Sequence, residues 1–268
     1  MRASKPTRYF LLAFTVLGLA LIYAPLALIV LNSFNSDTTF GWPPSAPTLR
    51  WWGRLLSDHG AVHALGTSVF VGVIAAAIAL VFGTMAAFAL ARYRFFGRDT
   101  VSLLIILPIA LPGIVTGIAL NNAFRTILGI NLGVATAIIA HATFCIVVVF
   151  NNVVARLRRL GSGLEEASAD LGARGATTFR LVTFPMLRSA LLAGGLLAFA
   201  LSFDEIIVTT FTLGAGHQTL PIWILDNLFR PNQAPVVNVV AAVLIVVSIV
   251  PVYLAQRLSG DSASSGRL

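Results

Sequence analysis

Six long apolar stretches, separated by charged connections, place the strongest constraint on the fold of this chain. A helix needs roughly 20 residues to cross a bilayer core about 30 Å thick, and each stretch has about that length. The six windows run Tyr9–Leu31, Val69–Ala91, Val101–Leu120, Val134–Val154, Ala190–Leu213 and Val236–Leu254. Only 10% of the 268 residues are charged, which is too few for the surface of a soluble domain. We therefore predict an all-α membrane protein with six transmembrane helices, the first of them retained because it is too long for a signal-peptide core.

The positions of the basic residues predict how these helices are oriented. An even number of spans leaves both termini on the same side of the membrane. If that side is the cytoplasm, fourteen of the 18 Lys and Arg residues are cytoplasmic, as the positive-inside rule requires. The sequence therefore predicts cytoplasmic tails, 1–8 and 256–268, around a transmembrane domain of residues 9–255. The net charge of +8 is then explained by topology, and a nucleic-acid partner is not needed.

A charged segment, LEEASADLGARGATTFRLVTFP, interrupts the apolar chain after its midpoint and forms the centre of the predicted cytoplasmic connection 156–188. Ser162 and Glu165 have the spacing of a capping box, which predicts a helix that starts at Gly163 or Leu164. Gly172 follows the last apolar position of that helix, where a residue in the left-handed conformation commonly ends a helix.

The predicted helix has a shallow apolar face and is followed by a second helical run. Four residues share the face by their spacing: Leu164, Ala167, Ser168 and Leu171. The second run, 177–183, leads into the fifth span. A solvated linker is the alternative interpretation, but a linker needs neither a capped helix nor a stop signal nor a second helix within about twenty residues. We therefore predict a docking element on the cytoplasmic face.

This segment resembles the EAA loop of ABC-importer permeases, whose pattern is E-A-A, three residues, G and a distal P. The matching residues are Glu166-Ala167-Ser168, Gly172 and Pro185, with Ser168 in place of the second alanine. The resemblance implies that the first helix lies in a cleft of an ATP-hydrolysing subunit. The residues that it assigns to coupling are Glu165, Glu166, Ala167, Ser168, Asp170, Leu171, Gly172, Ala173 and Pro185.

The resemblance extends over nearly the whole chain. ATFCIVVVFNNVVARLR, the EAA segment and FALSFDEIIVTTFT are together similar to the second permease of spermidine/putrescine importers, of the PotC and YdcV type. This similarity implies the fold of a type I importer transmembrane domain in the inner membrane. It also implies four kinds of partner: a second homologous permease, two copies of an ABC ATPase, an external substrate-binding protein and membrane lipid.

The sequence predicts neither an enzymatic site nor a metal site in this chain. It contains no GxxxxGK[ST] motif, and its only lysine is Lys5, so it cannot supply a P-loop. ATP and Mg²⁺ are therefore expected on the partner ATPase, with no cofactor held by this chain. No cluster of His, Cys, Asp and Glu has the spacing of metal ligands.

Two acidic residues in the fifth span are the candidates for a substrate pathway. A charge at hydrocarbon depth costs roughly 2.5–3.5 kcal/mol on insertion scales, so Asp204 and Glu205 require a polar environment. Carboxylates would guide a cation, although anion importers carry a glutamate at the place of Glu205, for which a structural or gating role is therefore favoured. Asp204 is the more informative residue. Either acid has the alternative of pairing with a neighbouring helix. Thr209 and Thr210 either line the same path or bond to their own backbone.

Three further features allow two interpretations each. His141 is either hydrogen-bonded packing or a proton-sensitive ligand. Pro108 and Pro112, four residues apart in the third span, produce either a plain kink or a kink that lines a pathway. Trp51 and Trp52 belong to the apolar face of a short outer helix, which is either an interfacial anchor or a docking surface for an external protein.

The sequence as a whole predicts a permease subunit of an ATP-driven type I importer for polyamines or related small organic cations. Alternating access would follow when closure of the ATPases moves residues 164–176 and, through them, the fifth span. One alternative is an importer of the same architecture for an aminophosphonate, an opine or another amino compound. A second is a stand-alone secondary transporter or membrane enzyme, which is disfavoured because neither an inverted repeat nor a catalytic cluster is visible.

Overall fold

Helices account for nearly all regular structure in the chain. The structure is a computed structural model in which residues 5–38, 43–230 and 232–246 are described. Within these ranges the only β pairing is an isolated bridge between Asn35 and Pro47. The helices are α1 Lys5–Asn32, α2 Arg50–Ser57, α3 His59–Arg92, α4 Arg98–Ala110, α5 Gly113–Asn122, α6 Val134–Leu160, α7 Gly163–Asp170, α8 Gly175–Thr178, α9 Phe184–Phe203, α10 Ile207–Thr212, α11 Leu220–Leu228 and α12 Ala234–Val246.

Among the described residues, four continuous helices are long and apolar enough to cross a membrane. They run Lys5–Asn32, His59–Arg92, Val134–Leu160 and Gly175–Phe203, and they contain the predicted first, second and fourth spans and most of the fifth. The prediction of an all-α membrane protein is confirmed. The apolar helix α12 begins the predicted sixth span, but the rest of that window lies outside the described residues, as do residues 1–4 and the predicted tail 256–268. The count of six spans and the side of the termini remain predictions.

The third span, predicted over 101–120 with a kink at its prolines, is interrupted between Ala110 and Gly113. Pro108 lies inside α4, whereas the chain leaves the helix at Leu111, whose backbone is extended (φ −81°, ψ 145°) because the proline that follows disfavours helical geometry. A new helix begins at Gly113, and the two helices bend by 105°. Such an angle is a break between two helices and exceeds a plain proline kink, while a role in lining a pathway remains a prediction.

The chain divides into two compact units, 1–62 with 223–250 and 63–222 with 251–268. In the first unit, α1 exposes large apolar side chains along its length, including Phe10, Phe14 and Leu21, as expected of a helix in contact with lipid. Trp51 is 2% exposed, and its indole Nε1 donates a hydrogen bond to the Asn35 carbonyl (2.9 Å). Trp51 therefore joins α2 to the segment that follows α1, while the interfacial-anchor and docking interpretations stay predictions.

The second unit is built around the pairing of α6 with α9. Val149, Val153 and Leu157 of α6 are completely buried, and Leu187 and Ala198 of α9 belong to the same apolar core. Small residues allow close helix contact, as is common between membrane helices. At Gly83 of α3, a Cβ atom would lie only 2.9 Å from the Ile146 carbonyl oxygen of α6. Helix α6 therefore packs against both α3 and α9.

Candidate functional site

The first helix of the charged segment forms as predicted, but it is not capped as predicted. Helix α7 begins at Gly163, yet Ser162 makes no side-chain capping hydrogen bond. The predicted capping box is therefore wrong. The carboxylate of Glu165, which should have returned to the Ser162 backbone, instead contacts Arg92 and Thr183.

Glu165 joins three separate elements. Its Oε2 lies 2.7 Å from Nε of Arg92, the last residue of α3, and its Oε1 accepts a hydrogen bond from the Thr183 hydroxyl (3.0 Å) at the start of the fifth span. Arg92 also donates from Nη2 to the Gly161 carbonyl (2.6 Å), just before α7. The side chains of the ion pair are only 19% and 23% exposed, so water screens the two charges less than it would at an open surface. These contacts fix α7 to α3, the second span, and to the start of the fifth span.

Ser168 makes a second contact between α7 and the helix that follows. Its Oγ lies 3.0 Å from Oγ1 of Thr178, which is buried in α8. The second alanine of the EAA pattern has no side-chain group that could form this hydrogen bond. The departure at Ser168 thus adds a link across the turn.

Gly172 ends α7 in the left-handed conformation that the sequence predicts. Its φ is +82°, and its N–H donates to the Ala169 carbonyl (2.8 Å), while the N–H of Ala173 donates to the Ser168 carbonyl (3.1 Å). This pair of hydrogen bonds is a Schellman motif, which satisfies carbonyl groups that the helix end would otherwise leave free. The chain reverses here and enters α8 at Gly175.

The outward side of α7 forms an exposed apolar and acidic surface. Leu171 is 89% exposed and Leu164 is 54% exposed. Glu166, Ala167 and Asp170 are also exposed. The predicted coupling residues therefore divide into two sets: Glu165 and Ser168 hold α7 against the spans, and the exposed residues remain available to a partner.

Pro185 lies inside a continuous helix that runs from Gly175 to Phe203. A proline in a helix lacks an N–H donor and crowds the carbonyl four residues earlier. The preceding turn, Phe179–Thr183, is a wide π turn in which the N–H of Phe184 donates to the Phe179 carbonyl five residues back. A π turn is a common place for such a local adjustment. The helix therefore continues past Pro185, and the π turn joins α8 to α9 in one continuous helix.

The fifth span breaks where the two acidic residues lie. Helix α9 ends at Phe203 and α10 begins at Ile207. Asp204 is exposed in the isolated chain, and its carboxylate makes no hydrogen bond or ion pair with any residue that the structure describes. Glu205 is half-buried, and its Oε1 accepts a hydrogen bond from the Val208 N–H (2.9 Å) in the first turn of α10. The two neighbouring carboxylates thus have different surroundings.

His141 connects the two sides of this break from α6. Its ring is completely buried, with Nδ1 2.7 Å from Oγ of Ser202 and Nε2 2.8 Å from Oγ1 of Thr209. Thr209 is also completely buried, and its hydroxyl donates to the Glu205 carbonyl (2.7 Å). Asp204 and Thr209, both predicted to line the pathway, are therefore not brought together on one exposed face. Thr210 is exposed and bonds back to its own helix at Ile206 (2.8 Å).

Helix α10 is further held by two side chains from the preceding helices. Asn121 of α5 donates to the Phe211 carbonyl (2.6 Å), and Thr136 of α6 donates to the Thr212 carbonyl (2.7 Å). Gly117 of α5 has no side chain, and a Cβ there would lie 2.7 Å from the Phe211 ring. The short helix after the break therefore has a fixed position between α5 and α6.

Several residues of these sites were missed by reasoning from sequence, among them Thr178, Asn121 and Thr136. Arg92 was counted only as a topological charge, and neither Thr183 nor Ser202 was assigned a role. Arg92 lies at the end of an apolar run, and that position could have suggested a role beyond membrane topology. Its partner, however, depends on how the second span packs against the charged segment, which local spacing does not report.

These features define the class of the protein: a helical membrane permease with several long apolar helices, two broken helices and a short charged helix α7. Residues 79–262 match the family described as binding-protein-dependent transport system inner membrane component, and the chain belongs to that family. It is thus an inner-membrane component of an ABC transporter that works with an ATPase and a binding protein, and its own role is transport, not catalysis.

Two curated relatives are similar over almost their full length. The chain is 34% identical over 256 residues to the putrescine transport system permease protein PotI of Escherichia coli K12, covering 90% of this chain and 89% of the relative. It is 34% identical over 254 residues to the spermidine/putrescine transport system permease protein PotC of Haemophilus influenzae, covering 94% and 98%.

Two solved structures share the fold. A chain of a bacterial ABC transporter involved in import of the acidic polysaccharide alginate superposes with a TM-score of 0.73 at 19% identity, covering 96% of this chain and 99% of that one. A chain of the MetNI methionine ABC transporter, in an inward-facing conformation, superposes with a TM-score of 0.59 at 20% identity, covering 78% and 96%. At these identities the likeness concerns the fold, which is that of ABC importer transmembrane subunits.

Proposed function

We propose that this chain forms half of the translocation pathway of an ABC importer for polyamines or related small organic cations. The observation that carries this proposal is the 34% identity, over about nine-tenths of the chain, to permeases of putrescine and spermidine/putrescine transport systems. A second homologous permease forms the other half of the pathway. Two copies of an ABC ATPase bind ATP and Mg²⁺, and an external binding protein delivers the substrate.

The environment of Asp204 supports a cationic substrate. This carboxylate is exposed at a break between α9 and α10, and it has no partner among the residues described. An ionised carboxylate at membrane depth is tolerated where it faces a wet cavity or a partner. An amine that enters such a site gains a Coulomb attraction that water screens less than it does in bulk. We assign Asp204 to the substrate pathway and Glu205 to the structure of α10.

The contacts around α7 support a route for coupling. The ATPase binds the exposed surface of α7, namely Leu164, Glu166, Ala167, Asp170 and Leu171. When the two ATPases close on ATP, α7 moves. Glu165 and Ser168 transmit this motion to α3 and to the continuous helix 175–203, whose far end is the break at Asp204. Access then alternates between the two sides of the membrane.

The test is transport by the complete complex. This chain is co-purified with its second permease, ATPase and binding protein, reconstituted in proteoliposomes, and supplied with radiolabelled putrescine or spermidine. ATP-dependent uptake of both is expected, together with a fall in uptake for Asp204→Asn, which keeps the size of the side chain and removes its charge.

The same vesicles distinguish the competing substrates. An aminophosphonate, an opine and a neutral amino acid are offered in parallel. Uptake of one of these, with no uptake of either polyamine and no effect of Asp204→Asn, would overturn the cation assignment and leave the importer architecture in place. Failure of an ATPase to co-purify would support a stand-alone transporter.

A further inference from the structure

Separate contacts hold each side of the break in the fifth span: α9 packs on α6, and Asn121 and Thr136 hold α10. Backbone hydrogen bonds do not join the two sides, because α9 ends at Phe203 and the ladder resumes only in α10. Ser202 lies on the α9 side of the break and Thr209 on the α10 side. His141 of α6 contacts both through the two nitrogens of one ring, at 2.7 and 2.8 Å. One rigid side chain therefore spans the interruption.

The hydrogen bonds of this cluster determine which atom carries the ring proton. The Thr209 hydroxyl has one proton, and it is donated to the Glu205 carbonyl inside the break (2.7 Å). Its oxygen must then accept from His141, so the ring proton lies on Nε2. The unprotonated Nδ1 accepts from the Ser202 hydroxyl. Every donor in this chain of groups has one acceptor, which is the condition for a buried polar network to stabilise a single arrangement.

The cluster has no access to water. His141 and Thr209 are completely buried, and Ser202 is 3% exposed. Loss of the imidazole would leave buried hydroxyl groups without a partner on α6, so the two helix ends could rearrange to satisfy them. Asp204 and Glu205 lie in the loop between those ends, and any such rearrangement would move them.

We propose that His141 is a positioning residue for the substrate pathway: it fixes the break 204–206 and thereby sets the place of the Asp204 carboxylate. The link between His141 and cation transport rests on the proposed function. The effect of His141 on the position of residue 204 is independent of that function. Histidine suits this role because its ring is both donor and acceptor in one rigid plane. Glutamine offers one donor and one acceptor on a flexible stem, and leucine offers neither.

The first experiment compares transport kinetics of the reconstituted complex. His141→Leu is expected to raise the KM for putrescine about tenfold, as does Asp204→Asn, because either change removes the charged contact from its proper place. His141→Gln is expected to restore most of the affinity. The double variant His141→Leu/Asp204→Asn should be no worse than Asp204→Asn alone, since a residue that acts through Asp204 has no effect once that charge is gone.

The second experiment measures the position of residue 204 without any substrate. Asp204→Cys in the complete complex is labelled with a cationic methanethiosulfonate reagent, with Cys145 as a buried, unreactive internal control. His141→Leu is expected to change the labelling rate at residue 204 at least severalfold, and His141→Gln is expected to change it little. If His141→Leu fails to assemble, Ser202→Ala removes one arm of the network and is measured in its place, with the same expected direction.

The outcomes separate the two proposals. An unchanged labelling rate at residue 204 in the assembled His141→Leu or Ser202→Ala complex would overturn the positioning role. The positioning role would also be overturned if His141→Leu left the KM unchanged and only lowered the amount of complex, or if its effect on the KM added to that of Asp204→Asn. If the wild-type complex takes up no polyamine while the Asp204→Cys complex labels normally, the proposed function fails, and the labelling comparison still decides the role of His141.

Discussion

Arg92, the last residue of the second long helix, places its Nε 2.7 Å from Oε2 of Glu165 in helix α7. The same carboxylate accepts a hydrogen bond from Thr183, at the entrance to the fifth span. One acidic side chain therefore connects α7 to the second span and to the start of the fifth. Under the proposed function, a force applied to α7 would reach those spans through these short contacts.

The first prediction is that Glu165→Gln partly uncouples ATP hydrolysis from transport. Glutamine retains an oxygen that can accept from Thr183, but it has no charge to hold Arg92. Assembly should persist, because a partly exposed ion pair contributes only about 1 kcal/mol. We expect fewer substrate molecules transported per ATP hydrolysed, measured as uptake and phosphate release in the same proteoliposomes. The charge-reversed pair Arg92→Glu/Glu165→Arg should recover part of the ratio, and an unchanged ratio in Glu165→Gln would show that the ion pair plays no part in coupling.

The second prediction concerns the exposed surface of α7. Leu171 is 89% exposed, so Leu171→Asp should leave the fold of the chain intact while placing a charge in the apolar part of the ATPase contact. We expect loss of the ATPase from the tagged complex in detergent, with the second permease still bound. Leu49→Asp is the matched control, because Leu49 is 68% exposed and lies in a predicted outer loop. Equal retention of the ATPase by the two variants would contradict the assignment of this surface.

The sequence was most informative where the interacting residues are close along the chain. The left-handed Gly172 that follows α7 and the start of α7, predicted at Gly163 or Leu164, depend on a few neighbouring residues, and the structure agrees with both. The role of Glu165 was not predicted correctly, because local spacing paired it with Ser162, whereas a more distant arginine competes for the same carboxylate. Likewise, His141 bonds to residues 61 and 68 positions away, which only the packing of α6 against the fifth span brings together.

The broken helices show a related limit. Pro112 reported that the third span is interrupted, since a proline and the residue before it disfavour helix. It did not report the bend of 105°, which depends on where α4 and α5 each find packing partners. In the fifth span no proline or glycine marks the break at Asp204. The two acids that a membrane helix would exclude were the only indication that the backbone there is unusual.

The third prediction compares two glycines of the charged segment. Gly172 has φ +82°, and a Cβ built on it would meet no atom within 4 Å, so the cost of Gly172→Ala comes from the backbone alone. That cost is about 1–2 kcal/mol for a left-handed residue with a side chain. A Cβ built on Gly175 would also meet no atom within 4 Å, and Gly175 does not have a positive φ. Gly175→Ala should therefore be neutral or slightly stabilising. Thermal unfolding of the purified complex should show a lower Tm for Gly172→Ala only, and equal Tm values would mean that the turn tolerates another conformation.

The fourth prediction separates the two neighbouring acids in the fifth span. Glu205 accepts from the Val208 N–H through Oε1, and Glu205→Gln keeps an oxygen at that position, whereas Glu205→Ala leaves one N–H of the first turn of α10 without its partner. By analogy with lost helix caps, Glu205→Ala should cost about 0.5–2 kcal/mol. We therefore expect a lower Tm for Glu205→Ala, a nearly unchanged Tm for Glu205→Gln, and a KM for putrescine that Glu205→Gln leaves within about twofold of wild type.

Asp204→Asn should show the opposite pattern, with a raised KM and an unchanged Tm, because the Asp204 carboxylate has no partner among the described residues. If Glu205→Gln raised the KM as strongly as Asp204→Asn, the charge of Glu205 would itself belong to the pathway, and its role in α10 would not be sufficient to explain its presence in the membrane.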